Sequence, residues 1–556
     1  MSSSPLQAAG YERGGADPFQ SRSVVLARNG MVATSHPLAA QVGVDVLRAG
    51  GTAADAAIAV NAMLSVVEPM SCGLGGDLFV LYWDAGARHL FGLNASGRAP
   101  LAISREAFTE RNVSQIPLTG PLSWTTPGCV DGWEELRKRF GRRPLAELLA
   151  PAIDAADQGF PVAEVIASGW QASVAELAAT RESAATFLVN GRAPRFGDVF
   201  KNPSMARSLR IVAEQGPRGF YRGPIAQEIC RYSAAHGGYL RLEDFDQCRA
   251  EWVDPIFTDY RGCRVYELPP NGQGLAVLQM LNILEAYDLR TMGHNTAEYL
   301  HLLIEAKKLA FADRARYYAD PAYANVPVAA LLSKEYAARQ RRRIDPNKAS
   351  ADVAAGDAAL AQGDTVYLCV VDRHGNCCSF IQSLFHGFGS KVVPGDVGFC
   401  LQNRGAQFSL DPNHANRLEP GKRPFHTIIP GMAFRENQPW LVFGVMGGDM
   451  QPQGHVQVLV NMIDFGMNVQ QAGDAARINH LGSASPNGEP MASGGGKVAY
   501  EAGISAEVLR KLTERGHQTT RSPGNFGGYQ AIVIDRDQGV LRGGSDPRKD
   551  GAAVGY

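Results

Sequence analysis

The hydrophobic pattern changes character near residue 364. Before it, apolar residues recur mainly at helical spacing, and after it short apolar runs alternate with turn residues. Residues 36–49 (HPLAAQVGVDVLRA) predict an amphipathic helix closed by Gly50-Gly51. Thr52 then offers an N-cap to residues 53–67, so apolar throughout that a buried helix is expected, stopped by Pro69. Gly73-Leu74-Gly75-Gly76-Asp77 leads into a strand over 78–83. A dinucleotide fingerprint follows its strand, so these glycines point to close backbone packing instead. Further helices are expected at 131–140, 144–157, 204–215, 274–287 and 295–318, the last with Leu302, Ala306, Leu309, Ala310 and Tyr317 on a core-facing side. Strands are expected at 366–371, 377–383, 397–402, 427–434, 440–445, 528–535 and about 539–542, with helices at 453–465, 469–478 and 504–516. Residues 483–496 are rich in Gly, Ser and Pro and read as a mobile loop; Gly494-Gly495-Gly496-Lys497 lacks P-loop spacing. The mixture predicts an α/β protein, sheets covered by helices.

Chemistry enters at the boundary itself. A soft segment, 351–363 (ADVAAGDAALAQG), runs into Asp364, and the apolar run TVYLCVV begins at Thr365. Cleavage before Thr365 would leave its hydroxyl beside its own α-amine, a general base of pKa about 7.7–8.0. A hydroxyl so placed is an activated nucleophile. A linker followed by an ordinary strand is the alternative from the boundary alone. The next turn, Arg373-His374-Gly375, suits a three-residue hairpin loop with a left-handed glycine, so that Asp372 faces Asn376. Counting outward puts Ser383 opposite Thr365, within one residue. Gly447-Gly448 follows a strand and precedes a helix, where backbone N–H groups could hold an oxyanion or the glycines could simply make the turn.

Composition narrows the classes. The 556 residues carry a net charge of −1, which gives no electrostatic case for nucleic acid or an anionic membrane. The nine cysteines show no C-x-x-C spacing and read as small core hydrophobes in a reducing compartment rather than disulfides or a metal site. The polar N-terminal twenty residues lack an apolar signal core and are expected to be poorly ordered; no apolar run of membrane-spanning length is seen. A cytoplasmic enzyme is the expectation.

The stretches SVVEPMSCGLGGD, TTPGCVDGW, LLAPAIDAADQGFPV, LIEAKKLAFADR, GDTVYLCVVDRHGN, PGKRPFHTIIP and GGSDPRKDGAAVGY occur in this order. Together they resemble the γ-glutamyltranspeptidase family of N-terminal-nucleophile hydrolases, from about Ser23 to the end of the chain, and in particular its cephalosporin-acylase and oxamate-amidohydrolase branch. The resemblance implies a four-layer αββα sandwich, no cofactor or metal, and self-cleavage between Asp364 and Thr365. Residues 1–364 would form a helix-rich large subunit and 365–556 a small one, both within one αββα unit; a dimer of such heterodimers is one assembly it allows. Thr365 matches the nucleophile, Ser383 the family's neighbouring threonine, and Gly447 and Gly448 the oxyanion glycines.

The substrate pocket departs from the family's pattern. In the γ-glutamyl enzymes an arginine and two serines hold an α-carboxylate, while an asparagine, a glutamine and an aspartate hold the α-ammonium. Here Phe385 stands in the asparagine's place, Arg404 in the glutamine's and Gln407 in the aspartate's, with Asn403 beside them. His426 and Thr427 replace the serines, and the arginine's place falls near Ser96, with Arg98 two residues on. A buried ammonium needs a carboxylate, and these changes turn that subsite from acidic to basic. Arg404 suits a carboxylate, either the substrate's or that of a structural salt bridge at the pocket rim. The expected substrate is therefore a small-molecule amide whose acyl group bears a distal carboxylate or carbonyl, glutaryl- or oxamate-like, with water, or less readily an amine, as acceptor. The alternatives are a conventional γ-glutamyltransferase or glutathione hydrolase, and an unprocessed, non-catalytic homologue.

Overall fold

A computed structural model describes residues 20–353, 364–522 and 524–556. The expectation for the first twenty residues, all but Gln20, and that for most of the soft segment before Asp364 fall outside these. Two seven-stranded antiparallel sheets pack face to face. The first runs Ala552–Gly555, Met31–Thr34, Asp364–Val371, Cys377–Phe385, Asp77–Asp84, His89–Ala95, Glu251–Val253. The second runs Val25–Ala27, Val540–Ser545, Gly528–Asp535, Gln438–Met446, Gly431–Arg435, Cys263–Glu267, Ile256–Tyr260.

Strand alternation sorts the side chains into three apolar layers. Tyr367, Cys377, Ile381, Met432, Val442 and Ile532 fill the space between the sheets. Val366, Leu368 and Cys378 point the other way, onto a layer that includes the helices Pro37–Arg48, Ala53–Val67 and Leu145–Gln158. The outer face of the second sheet packs on Gly274–Leu284, Ala297–Tyr317 and Met450–Ile463. This is the expected four-layer αββα order. Cys377 and Cys378 fall on opposite faces, and all nine cysteines are free thiols, eight of them buried. Among the described residues no helix is long and apolar enough to cross a membrane.

Local signals act where expected. Thr52 caps Ala53–Val67 in a full capping box with Asp55, and every residue of that helix is buried. Gly75 and Gly76 are packing glycines: a Cβ on Gly75 would lie 2.2 Å from the Cys400 carbonyl oxygen, and one on Gly76 2.4 Å from that of Ser383.

Other expectations are corrected. Residues 397–402 form no strand; their apolar side chains are buried as irregular chain lying against Gly75. The strand expected at 427–434 begins only at Gly431, because the His426 N–H is drawn to the Asn271 carbonyl and the Ile429 N–H to the Gln451 side chain. The helix expected at 469–478 ends at Asp474, and Ile478–Leu481 joins a small third sheet with Lys497–Tyr500 and Gln518–Arg521. Helix Ala297–Tyr317 is buried nearly all round rather than on one face. Its Lys307 donates to the His480 carbonyl at 3.0 Å and the Ser483 hydroxyl at 2.7 Å, and Arg314 to the Ala484 carbonyl at 3.3 Å. The loop 483–496 is thus tied down at its start.

Candidate active site

Thr365 sits one residue into Asp364–Val371, the third strand of the first sheet, beside its central strand Cys377–Phe385. The hairpin has the predicted turn: Gly375 is left-handed at φ +81°, and the Asp372 N–H donates to the Asn376 carbonyl at 3.1 Å. The register holds from Val371↔Cys377 to Val366↔Gln382 and then shifts, so that Asp364 pairs with Phe385. That bulge brings the Thr365 hydroxyl to 3.3 Å from the Ser383 hydroxyl, which also accepts the Phe385 N–H at 2.8 Å. Phe385 takes φ +82°, a strained conformation for a bulky residue.

Thr365 lines a cleft of about 960 Å³ together with His386, Met446, Gly447, Tyr500 and Phe526. Gly447 and Gly448 connect the strand Gln438–Met446 to the helix Met450–Ile463, at φ +118° and +56°. Both values favour glycine. The turn is braced from behind. The Gln273 amide donates to the Gly448 carbonyl at 2.9 Å and to the Thr427 carbonyl at 2.7 Å, and its oxygen accepts from Arg314 at 2.6 Å. Arg314 is fully buried and also pairs with Asp449 at 2.6 Å.

The pocket candidates divide. Arg404 is wholly buried, with its guanidinium carbon 4.7 Å from the Phe385 ring centre and Nη1 donating to the Thr427 hydroxyl at 2.7 Å. Its Nε and Nη2 have no hydrogen-bond partner among the described residues. Burial pushes its pKa down to about 9, partly offset by Asp77. His426 donates from Nε2 to the Asp77 carboxylate at 2.9 Å, and burial followed by the Arg404 charge lowers its pKa to about 4. Asn403 fixes the next loop, its oxygen accepting the His386 N–H at 3.2 Å and its amide donating to the Leu118 carbonyl at 2.8 Å. The Ser96 hydroxyl is tied to Asn94 at 2.6 Å.

None of Ser96, Phe385, Asn403, Arg404, His426 and Thr427 lines the cleft of about 960 Å³; they are buried behind it, and Arg98 and Gln407 are drawn to other places. Arg98 is committed to Glu251 at 2.9 Å and the Gly421 carbonyl at 3.0 Å, and does not line the cleft. Gln407 faces a smaller hollow beside Asn487 and Glu489.

Sequence reasoning missed Asp77 and Gln451. Asp77 is fully buried and its carboxylate accepts from the Gly97 and Gly128 N–H groups and the Gln402 amide, besides meeting His426. The subsite is therefore not purely basic. Gln451, also fully buried, reaches the Thr365 hydroxyl at 3.5 Å. The one sequence signal for Asp77 was its place after the packing glycines.

The ligand atoms of His301, Glu305 and His517 lie within 4.8 Å of one another. They are already engaged: His301 with His517 at 2.8 Å and the Asp345 carbonyl at 2.8 Å, Glu305 with Lys308 at 2.8 Å. An ammonium on Glu305 opposes a second cation there.

The sequence model of the Gamma-glutamyltranspeptidase family matches residues 39–556. The glutathione hydrolase-like YwrD proenzyme of Bacillus subtilis is 40% identical over 536 residues, covering 96% of this chain and 99% of the relative. The oxamate amidohydrolase proenzyme of Klebsiella pneumoniae is 35% identical, covering 95% and 98%. The crystal structure of a cephalosporin acylase from Bacillus halodurans superposes with a TM-score of 0.90 at 43% identity, over 99% of both chains. A match that runs to the last residue, with relatives this similar over their whole lengths, makes the chain a member of the γ-glutamyltranspeptidase family.

Proposed function

We propose that the protein is a self-processing amidohydrolase, cut between Asp364 and Thr365, that hydrolyses the amide of a carboxylate-bearing acyl group. The Thr365 hydroxyl first attacks the Asp364 carbonyl carbon. The peptide bond becomes an ester, which frees the Thr365 amine, and water hydrolyses that ester to separate residues 1–364 from 365–556. In turnover the same oxygen attacks the substrate carbonyl and its proton passes to the new α-amine. The Gly447 and Gly448 N–H groups hold the oxyanion. Collapse transfers the proton to the leaving amine, and water releases the acid from the acyl-threonine. No step calls on a cofactor.

The observation that carries the acyl preference is Arg404: a fully buried guanidinium with two of its three nitrogens, Nε and Nη2, unmet among the described residues. Leaving such donors buried is costly, and a carboxylate meets them with matching geometry. The second reading, a γ-glutamyl enzyme, draws on Asp77 as a partner for an α-ammonium. Its oxygens already meet four donors, counting His426.

The test compares wild type with Thr365→Ala on a denaturing gel, then glutaryl- with γ-glutamyl-p-nitroanilide at equal concentration. Two fragments are expected from wild type, the smaller starting at Thr365, one chain from the variant, and faster glutaryl turnover. An uncut wild-type chain would point to the non-catalytic homologue, and faster γ-glutamyl turnover to the second reading.

A further inference from the structure

Gln451 stands in the first turn of the helix that follows Gly447-Gly448, fully buried. Its two amide atoms face different partners. The Ile429 N–H donates to Oε1 at 3.0 Å. An N–H can only meet the oxygen, which settles the orientation of the amide. Nε2 is therefore the end that faces the Thr365 hydroxyl, at 3.5 Å. That is long, as hydrogen bonds of a resting site often are before substrate arrives. Thr365 in turn donates to Ser383, whose oxygen also takes the Phe385 N–H. The nucleophile thus lies between a donor, Gln451, and an acceptor, Ser383.

We infer that Gln451 is a positioning residue for Thr365, acting in both self-cleavage and turnover. This rests on Thr365 being the nucleophile. A donor on the attacking oxygen occupies one lone pair, aims the other at the carbonyl carbon, and favours the oxygen as its proton leaves. The anchor on Ile429 fixes the donor to the segment that also carries Thr427 and the inner end of the strand Gly431–Arg435.

The two ends of the amide can be tested apart. Gln451→Glu keeps an oxygen for the Ile429 N–H but offers Thr365 a second oxygen instead of a donor. Gln451→Met removes both at similar volume. Full-length chains would be made by cell-free synthesis and the Thr365 fragment followed by mass spectrometry and gel, beside wild type and Thr365→Ala. Steady-state rates of the matured proteins would then be taken with glutaryl-p-nitroanilide between pH 5 and 8. At neutral pH we expect Gln451→Glu to mature and turn over about tenfold more slowly, the weight of one hydrogen bond, with KM nearly unchanged. As pH falls the buried glutamic acid takes up its proton and can donate again, so the rates relative to wild type should recover. Gln451→Met should show the same loss with no recovery.

Wild-type rates for Gln451→Glu would overturn the inference. So would a loss without recovery at low pH, or one that tracks a lowered thermal midpoint, since either marks a structural role. Cleavage of Thr365→Ala would instead remove the nucleophile reading on which it rests.

Discussion

Replacing Arg404 by methionine should move stability and activity in opposite directions. The guanidinium is wholly enclosed, makes one hydrogen bond, to Thr427, and stacks on Phe385. Against these stand two unmet donor nitrogens, Nε and Nη2, and a buried charge whose desolvation Asp77 only partly offsets. Each unmet donor costs about 1–3 kcal/mol, while the Thr427 bond and the ring contact each return about 1–3 kcal/mol. Methionine fills similar volume and carries none of these terms, and exchanging a buried ionic group for an apolar one is often neutral or stabilising by about 1–4 kcal/mol. Arg404→Met should therefore unfold at an equal or higher urea midpoint than wild type. If the charge is kept for a substrate carboxylate, kcat/KM for glutaryl-p-nitroanilide should fall about tenfold to a hundredfold, and that for butyryl-p-nitroanilide should change little. Self-cleavage should be unaffected. The reasoning is refuted if the variant is clearly less stable and loses both substrates equally, for Arg404 would then be holding the fold.

Gly447→Ala places a side chain at φ +118°, with its Cβ 3.2 Å from the Gly527 Cα; kcat should fall at least about tenfold while the protein stays folded, as circular dichroism would report. Asp77→Asn removes a buried charge that meets four donors and should cost about 1.5–3 kcal/mol or more in urea unfolding. Burial lowers the pKa of His36, His386 and His426 to about 4 and of His455 and His517 to about 3. Their folded values lie below the unfolded 6.5, so the unfolded chain binds more protons below that pH, and stability present above 6.5 is lost as pH falls toward 4. Buried Glu267, whose pKa is raised, works in the opposite sense. A thermal midpoint that drops between pH 6.5 and 5, with net proton uptake on unfolding by calorimetry, is the expected result, and a flat profile would contradict it.

Local chemistry was legible in the sequence where it is local. The hairpin around Gly375 fixes its own register, so Ser383 could be counted to Thr365 before any fold was known. Gly447-Gly448 was visible from strand and helix on either side. Gln451 and Asp77 were not, because they reach Thr365 and His426 from 86 and 349 residues away. Arg98 shows the converse: proximity in sequence to Ser96 suggested the pocket, whereas Glu251 draws its guanidinium away. Residues 397–402 misled because an apolar run records burial, and here burial comes from contact with Gly75 rather than from a ladder of strand hydrogen bonds.

The order of strands bears on what a cut at residue 364 would do to refolding. In the first sheet Met31–Thr34 lies between Ala552–Gly555 and Asp364–Val371, and in the second Val25–Ala27 and Cys263–Glu267 flank strands from beyond residue 430. Each piece alone would leave ladders open and both inter-sheet surfaces bare. If the chain is cut as proposed, assembly of the sandwich must come first, as a unimolecular event on one uncut chain, with cleavage as its last step. The connection that made the search intramolecular would then be gone. A matured enzyme that unfolds would have to find its other half by diffusion, so its lifetime is governed by how slowly it opens and not by how readily it re-forms.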